Sequence, residues 1–174
     1  MKIICMGDSV TYGQSVRADQ AWPAALARMT GHDVRNEGVC GETSRMALDR
    51  WPKVVDLHVP DVVVIQYGLN DANCWETDHG LPRVTQAAYV ANVGEMVSRT
   101  LVAGGKPIVL RPHKPAEDSA FAERVMTYAV ALSHMMPSLS VCAVDESFAS
   151  DGYGLHPDVA MHERYAQAVY KLLP

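Results

Sequence analysis

The chain has 174 residues, 48% of them hydrophobic, with 15 Lys and Arg against 20 Asp and Glu and a net charge of −5. That length suits one domain, residues 1–174, with a substantial core. The acidic balance without any long Lys/Arg run argues against a nucleic-acid partner, and no apolar stretch approaches the roughly 20 residues that span a bilayer. The first strand pattern begins at Lys2, leaving no room for a signal peptide, so a cytoplasmic chain with no membrane partner is expected.

Strand-like apolar runs alternate with helical patterns along the sequence. The first strand is predicted over residues 2–6, and a helix follows over 19–29 with Trp22, Leu26 and Met29 on one face. Asp19 suits its N-cap and Pro23 its first turn. A short strand is expected over 33–36, then a helical pattern over 43–58 that Pro52 should kink or break. Residues 62–67 form a continuous apolar, β-branched run, as a strand covered on both faces requires. A polar loop over 71–83 carries Trp75, His79 and Pro82, and Tyr89, Val93, Met96, Val97 and Thr100 then mark a helix. A strand over 107–110 leads into a basic loop, 111–115. A helix with Phe121, Val125, Tyr128, Leu132 and Met135, a strand over 140–144 and a last helix over 157–173 complete the pattern.

Such alternation implies βαβ units: an α/β protein, a three-layer α/β/α sandwich on five parallel strands. In sheets of this kind ligands collect at the carboxyl ends of the strands. The four cysteines, Cys5, Cys40, Cys74 and Cys142, include no CxxC pair, so neither a zinc site nor a redox motif is expected, and no metal or other cofactor.

Four segments carry residues suited to acyl chemistry. Gly7-Asp8-Ser9 puts a serine directly after the first strand, with Gly7 and Gly13 allowing a tight turn. An alcohol needs a base to become a nucleophile, and His156, in a loop just before Pro157, offers an imidazole that can both take and return a proton. Acyl transfer also needs donors where the carbonyl oxygen becomes negative. The Ser9 and Gly41 backbone N–H groups and the Asn70 amide suit that oxyanion hole. Taken singly, each residue has a plainer role as a turn serine, loop histidine, turn glycine or Asx-turn asparagine. Their joint occurrence, with Ser9, Gly41 and Asn70 each following a strand, favours the chemical reading. Asp8 is expected to order the turn rather than to react.

In these motifs the chain resembles the SGNH branch of the GDSL esterase/lipase family: Gly7-Asp8-Ser9, Asn36-x-Gly38-x-x-Gly41-x-Thr43, Gly68-x-Asn70-Asp71 and His156, across residues 2–172. The resemblance implies a flavodoxin-like fold, metal-free ester hydrolysis, and the roles just given to Ser9, Gly41, Asn70 and His156. One departure stands out. The family places an aspartate three residues before the histidine, where this chain has Tyr153. Asp151 lies five residues before His156, in a glycine-rich segment that a bulge would let return to the imidazole. The alternatives are a dyad oriented by a backbone carbonyl or water, or an acid supplied by Asp145.

Around this centre, Trp75, His79, Arg111 and His113 are candidate substrate contacts, with Arg83 and Lys114 as further cations suited to an acidic sugar. No long apolar lid is evident, which favours small acyl groups such as acetyl. The expected function is an esterase removing such a group from a carbohydrate or small metabolite. An acyltransferase using the same acyl-enzyme and a non-catalytic binding protein are the alternatives, and an FMN protein fits the Asp8–Tyr12 segment poorly. Oligomeric state is open.

Overall fold

A computed structural model describes residues 1–116, 119–135, 141–142 and 154–174. Strand β1 (Lys2–Gly7) runs into a one-turn helix α1 (Ser9–Tyr12), followed by α2 (Trp22–Thr30), β2 (Asp33–Gly38) and α3 (Ser44–Trp51). Then come β3 (Val62–Gln66), the short α4 (Leu69–Ala72), α5 (Gln86–Val102), β4 (Lys106–Leu110), α6 (Ala120–Met135), β5 (Val141–Cys142) and α7 (Val159–Tyr170).

All strand pairs are parallel, in the order β2-β1-β3-β4-β5. This is the flavodoxin-like order that the resemblance implied. Four strands of five or six residues carry the sheet. Of the fifth strand expected over 140–144, Val141 and Cys142 are described, and they pair with Val109 and Leu110.

The chain moves from β1 outward to β2, then returns past β1 to build β3 and β4 on its other side. Right-handed crossovers then put α2 on one face and α3, α5 and α6 on the other. Helix α7 returns to pack on α2. The order reverses between β1 and β3, and the diverging loops leave a crevice at their carboxyl ends. Gly7, Gly38 and Gln66 lie in register at that edge.

Every residue of β3 is buried because helices cover both faces of the sheet there. At the edge, β2 is only partly covered. Trp22 and Trp51 anchor the helical layers and are fully buried.

Two helix starts differ from expectation. Helix α2 begins at Trp22, not at an Asp19 cap, and Ala21 provides no side-chain acceptor. The Trp22 N–H donates instead to His162 Nδ1 of α7, at 3.2 Å, so the cap comes from a neighbouring helix. Pro23 does sit in the first turn. Helix α7 starts at Val159, two residues after Pro157, with Asp158 as its N-cap accepting from the Met161 N–H at 2.9 Å. Pro52 ends α3, and the chain continues as a π-helical turn over Pro52–Asp56. Among the described residues, no helix is long and apolar enough to cross a membrane.

Candidate active site

The site begins where β1 ends. Asp8 caps α1, its Oδ1 accepting from the Val10 N–H at 2.9 Å. Ser9 thereby becomes the first residue of α1, where backbone N–H groups have no intrahelical partner. A Cβ on Gly7 would stand 2.1 Å from Thr11 Oγ1, and one on Gly38 would stand 2.1 Å from the Tyr12 nitrogen. Only glycines at these two strand ends let α1 lie so close to the sheet. His156 Nε2 meets Ser9 Oγ at 3.0 Å, and both residues are buried. The predicted serine–histidine pair, 147 residues apart in sequence, is brought together.

The second segment leaves β2 beside this turn. The Val39 N–H donates to the Gly7 carbonyl at 2.9 Å, and Asn36 accepts from the Gly38 N–H at 3.0 Å. Gly41 has φ +76, the left-handed region that glycine enters without strain. Behind it, the buried Glu42 carboxylate accepts from Arg50 at 2.5 and 2.7 Å and from the Tyr67 hydroxyl at 2.7 Å. Arg50 also donates to the Glu37 carbonyl, so one guanidinium ties both ends of the loop that carries Gly41.

The third segment follows β3. Gly68 has φ +130, and Asn70 stands half-buried in α4. Its neighbour Asp71 is buried and accepts from the Ser44 N–H at 3.1 Å and from the Ser44 hydroxyl. Asn92 donates to Ser44 Oγ at 2.9 Å. Asp71 therefore binds the Gly41 and Asn70 segments together.

Burial dominates the titration of this region. It raises Asp8 to about 7, opposed by the Val10 N–H and reinforced by the nearby Asp71 and Glu42. It also raises Asp71 to about 6, opposed by the Ser44 donors. The Gln66 amide also opposes the rise of Asp8. On the other side, burial lowers His113 and His162 to about 4 each, and the neighbouring His156 lowers both further.

The candidate substrate contacts divide. Trp75 is 48% exposed, with the Arg83 guanidinium 4.0 Å from its ring centroid. Arg83 donates to the Gly41 carbonyl at 2.8 Å, so it braces the loop rather than standing free for an anionic ligand. His79 and Lys114 are exposed, and Arg111 is half-buried. His113 corrects the sequence expectation. It is buried, with Nδ1 2.9 Å from the Tyr165 hydroxyl and Nε2 3.0 Å from the Leu155 carbonyl. Its ring faces protein rather than an open substrate loop, because Tyr165 of α7 and the backbone before His156 close over it. Asp151, Asp145 and Tyr153 lie outside the described residues.

Sequence reading missed the supporting roles of Glu42, Arg50 and Asp71. The available signal was two acids placed directly after residues of the proposed oxyanion hole, Glu42 after Gly41 and Asp71 after Asn70.

The fold is a doubly wound α/β sheet with a serine–histidine pair at its switch point. Residues 5–164 match the model of the GDSL-like Lipase/Acylhydrolase family, and the chain belongs to that family. It is 28% identical over 119 residues to an arylesterase of Vibrio mimicus, covering 66% of this chain and 56% of that protein. It is 30% identical over 96 residues to thioesterase 1/protease 1/lysophospholipase L1 of Escherichia coli K12, covering 52% and 46%. The chain thus spans about half the length of the curated relatives it matches. Among solved structures, a G-D-S-L family protein of Desulfitobacterium hafniense superposes with a TM-score of 0.83 over 99% of both chains, at 18% identity. The acetylxylan esterase Axe2 of Geobacillus stearothermophilus gives a TM-score of 0.77 at 22% identity, over 98% of this chain and 92% of that one. At these identities the structural likeness speaks for the fold.

Proposed function

We propose that the chain is a serine carboxylic ester hydrolase working through an acyl-enzyme. The observation that carries this reading is the 3.0 Å contact between Ser9 Oγ and His156 Nε2 at the sheet's switch point. His156 Nε2 takes the Ser9 proton as Oγ bonds to the ester carbonyl carbon. The carbonyl oxygen becomes negative and is met by the Ser9 and Gly41 N–H groups and the Asn70 amide. The intermediate collapses, the carbon–alkoxy bond breaks, and the leaving oxygen takes the proton from His156. Water then attacks the acyl-enzyme, giving one proton to His156. The second collapse releases the carboxylic acid and returns a proton to Ser9. Asp151 is the proposed third member, holding His156 Nδ1–H and stabilising the imidazolium.

The proposed substrate is a small acyl ester, acetyl first, on a carbohydrate or small metabolite. Support comes from the exposed Trp75 face, linked to Gly41 through Arg83. An acetylxylan esterase among the structural neighbours agrees with it.

Hydrolysis of p-nitrophenyl acetate, butyrate and octanoate by wild type and Ser9→Ala tests the reading. Wild type should turn over acetate fastest, and Ser9→Ala should lose about 10⁴-fold or more in kcat. Equal turnover by both proteins would overturn it. So would a folded wild type that neither turns over nor takes a fluorophosphonate on Ser9.

A further inference from the structure

We propose that His113 is a positioning residue: through the Leu155 carbonyl it fixes the backbone from which His156 reaches Ser9. The inference rests on the reading of His156 as the base.

Its chemistry follows from the two contacts. A carbonyl oxygen only accepts, so His113 Nε2, 3.0 Å from Leu155 O, carries the proton. In the neutral ring Nδ1 is then bare, and it accepts from the Tyr165 hydroxyl at 2.9 Å. Burial keeps the ring neutral by lowering its pKa to about 4. Tyr165 is itself buried in α7 and meets the imidazole edge to face, with centroids 6.3 Å apart.

The surrounding loop adds one backbone hydrogen bond and one packing contact. The Ala116 N–H donates to the Gly154 carbonyl at 2.8 Å, so the segment after β4 holds residues 154 and 155 together. Pro112 packs against Gly68, where a Cβ would come within 2.8 Å of Pro112 Cγ. One loop therefore abuts both the segment leading to His156 and the turn leading to Asn70. Displacing a reacting group by about 1 Å can cost on the order of a hundredfold in rate. His113 is bonded to the carbonyl of Leu155, the residue before the proposed base, and through that contact it is a positioning residue.

Three variants separate this role from general packing. His113→Gln places an amide N–H near the Nε2 position and can serve Leu155. His113→Asn places its amide near Nδ1 and can serve only Tyr165. His113→Leu serves neither. The readouts are kcat and KM on p-nitrophenyl acetate, the rate of Ser9 labelling by a fluorophosphonate, the thermal midpoint, and the imidazole ¹⁵N shifts of His156. His113→Leu and His113→Asn should lower kcat and the labelling rate by roughly ten- to a hundredfold, with KM within about twofold. They should also shift the His156 ring signals, and His113→Gln should recover both.

Recovery by Asn rather than Gln would overturn the proposal, as would a folded Leu variant with wild-type kcat and wild-type His156 signals. If the Leu variant does not fold, the Gln and Asn comparison decides. If wild type shows no Ser9-dependent turnover, the hydrolase reading fails, yet the His156 shifts still decide whether His113 positions that ring.

Discussion

Around Ser9 the supporting groups are carboxylates: Asp8, Glu42 and Asp71 are all buried. Around His156 they are imidazoles: His113 and His162 are buried too. Among the described residues, Glu42 alone of the three acids is hydrogen-bonded to a guanidinium, while Asp8 relies on the Val10 N–H and the Gln66 amide and Asp71 on the Ser44 N–H and hydroxyl. The two sides therefore respond to acid in opposite senses. Asp8 and Asp71, raised to about 7 and 6 from 3.8, bind protons in the folded chain at pH values where the unfolded chain has released them. Their favourable contribution is present at low pH and is lost as pH rises through those values. His113 and His162, lowered to about 4 from 6.5, contribute stability that is present above 6.5 and lost as pH falls toward about 4. Between about pH 4 and 6 the two pairs nearly cancel, so changes on one side should expose the slope of the other.

The largest effect is expected where a carboxylate has a cation. Glu42→Ala leaves Arg50, mostly buried, and the Tyr67 hydroxyl without their shared acceptor. Breaking a buried pair in this way costs about 3–5 kcal/mol. Urea unfolding at pH 7 measures it, and a loss below about 1 kcal/mol would mean that Arg50 finds a replacement in Glu37. Asp8→Asn should do the reverse. It keeps an acceptor for the Val10 N–H and removes a buried charge whose pKa is about 7. Stability at pH 8 should rise by up to about 4 kcal/mol, and the gain should vanish near pH 4. An unchanged pH dependence would show that Asp8 is ionised at no cost.

On the imidazole side, His162→Asn can keep an acceptor near the Trp22 N–H while removing a titrating group. Wild type should lose up to about 3 kcal/mol more than this variant between pH 6.5 and 4, the contribution of one histidine lowered to about 4. Parallel stability curves for the two proteins would remove His162 from the comparison.

The same division governs what was legible in the sequence. Strand runs and glycine-flanked motifs are local, so Ser9, Gly41 and Asn70 could be assigned to strand ends from a few residues each. His156 was legible because a proline and a helix start fix its loop. The supporting groups were not, because their partners are remote. His162 caps a helix that begins 140 residues earlier, which left Asp19 as the only local candidate. His113 reads as one cation in a basic loop, and it is Tyr165 of α7 and the Leu155 carbonyl, remote in sequence, that hold it inward. Polar residues near a site thus carry two possible directions, and local pattern cannot choose between them.

Arg83 tests that point with the smallest expected effect on stability. Its side chain stacks on an exposed ring and donates one hydrogen bond to the Gly41 carbonyl, so Arg83→Met should change stability by only about 1 kcal/mol. The consequence for rate is larger, because Gly41 sits in a left-handed conformation at a loop tip and its carbonyl is held by this donor. We expect kcat on p-nitrophenyl acetate to fall by about tenfold, short of the hundredfold that a full ångström of misplacement can cost. Arg83→Lys should recover little, since an ammonium lacks the planar fork that stacks on Trp75 while donating to Gly41. If Lys restores full activity, the charge rather than the tie to Gly41 is what matters. Arg83 would then revert to the sequence expectation of a cation facing an anionic substrate.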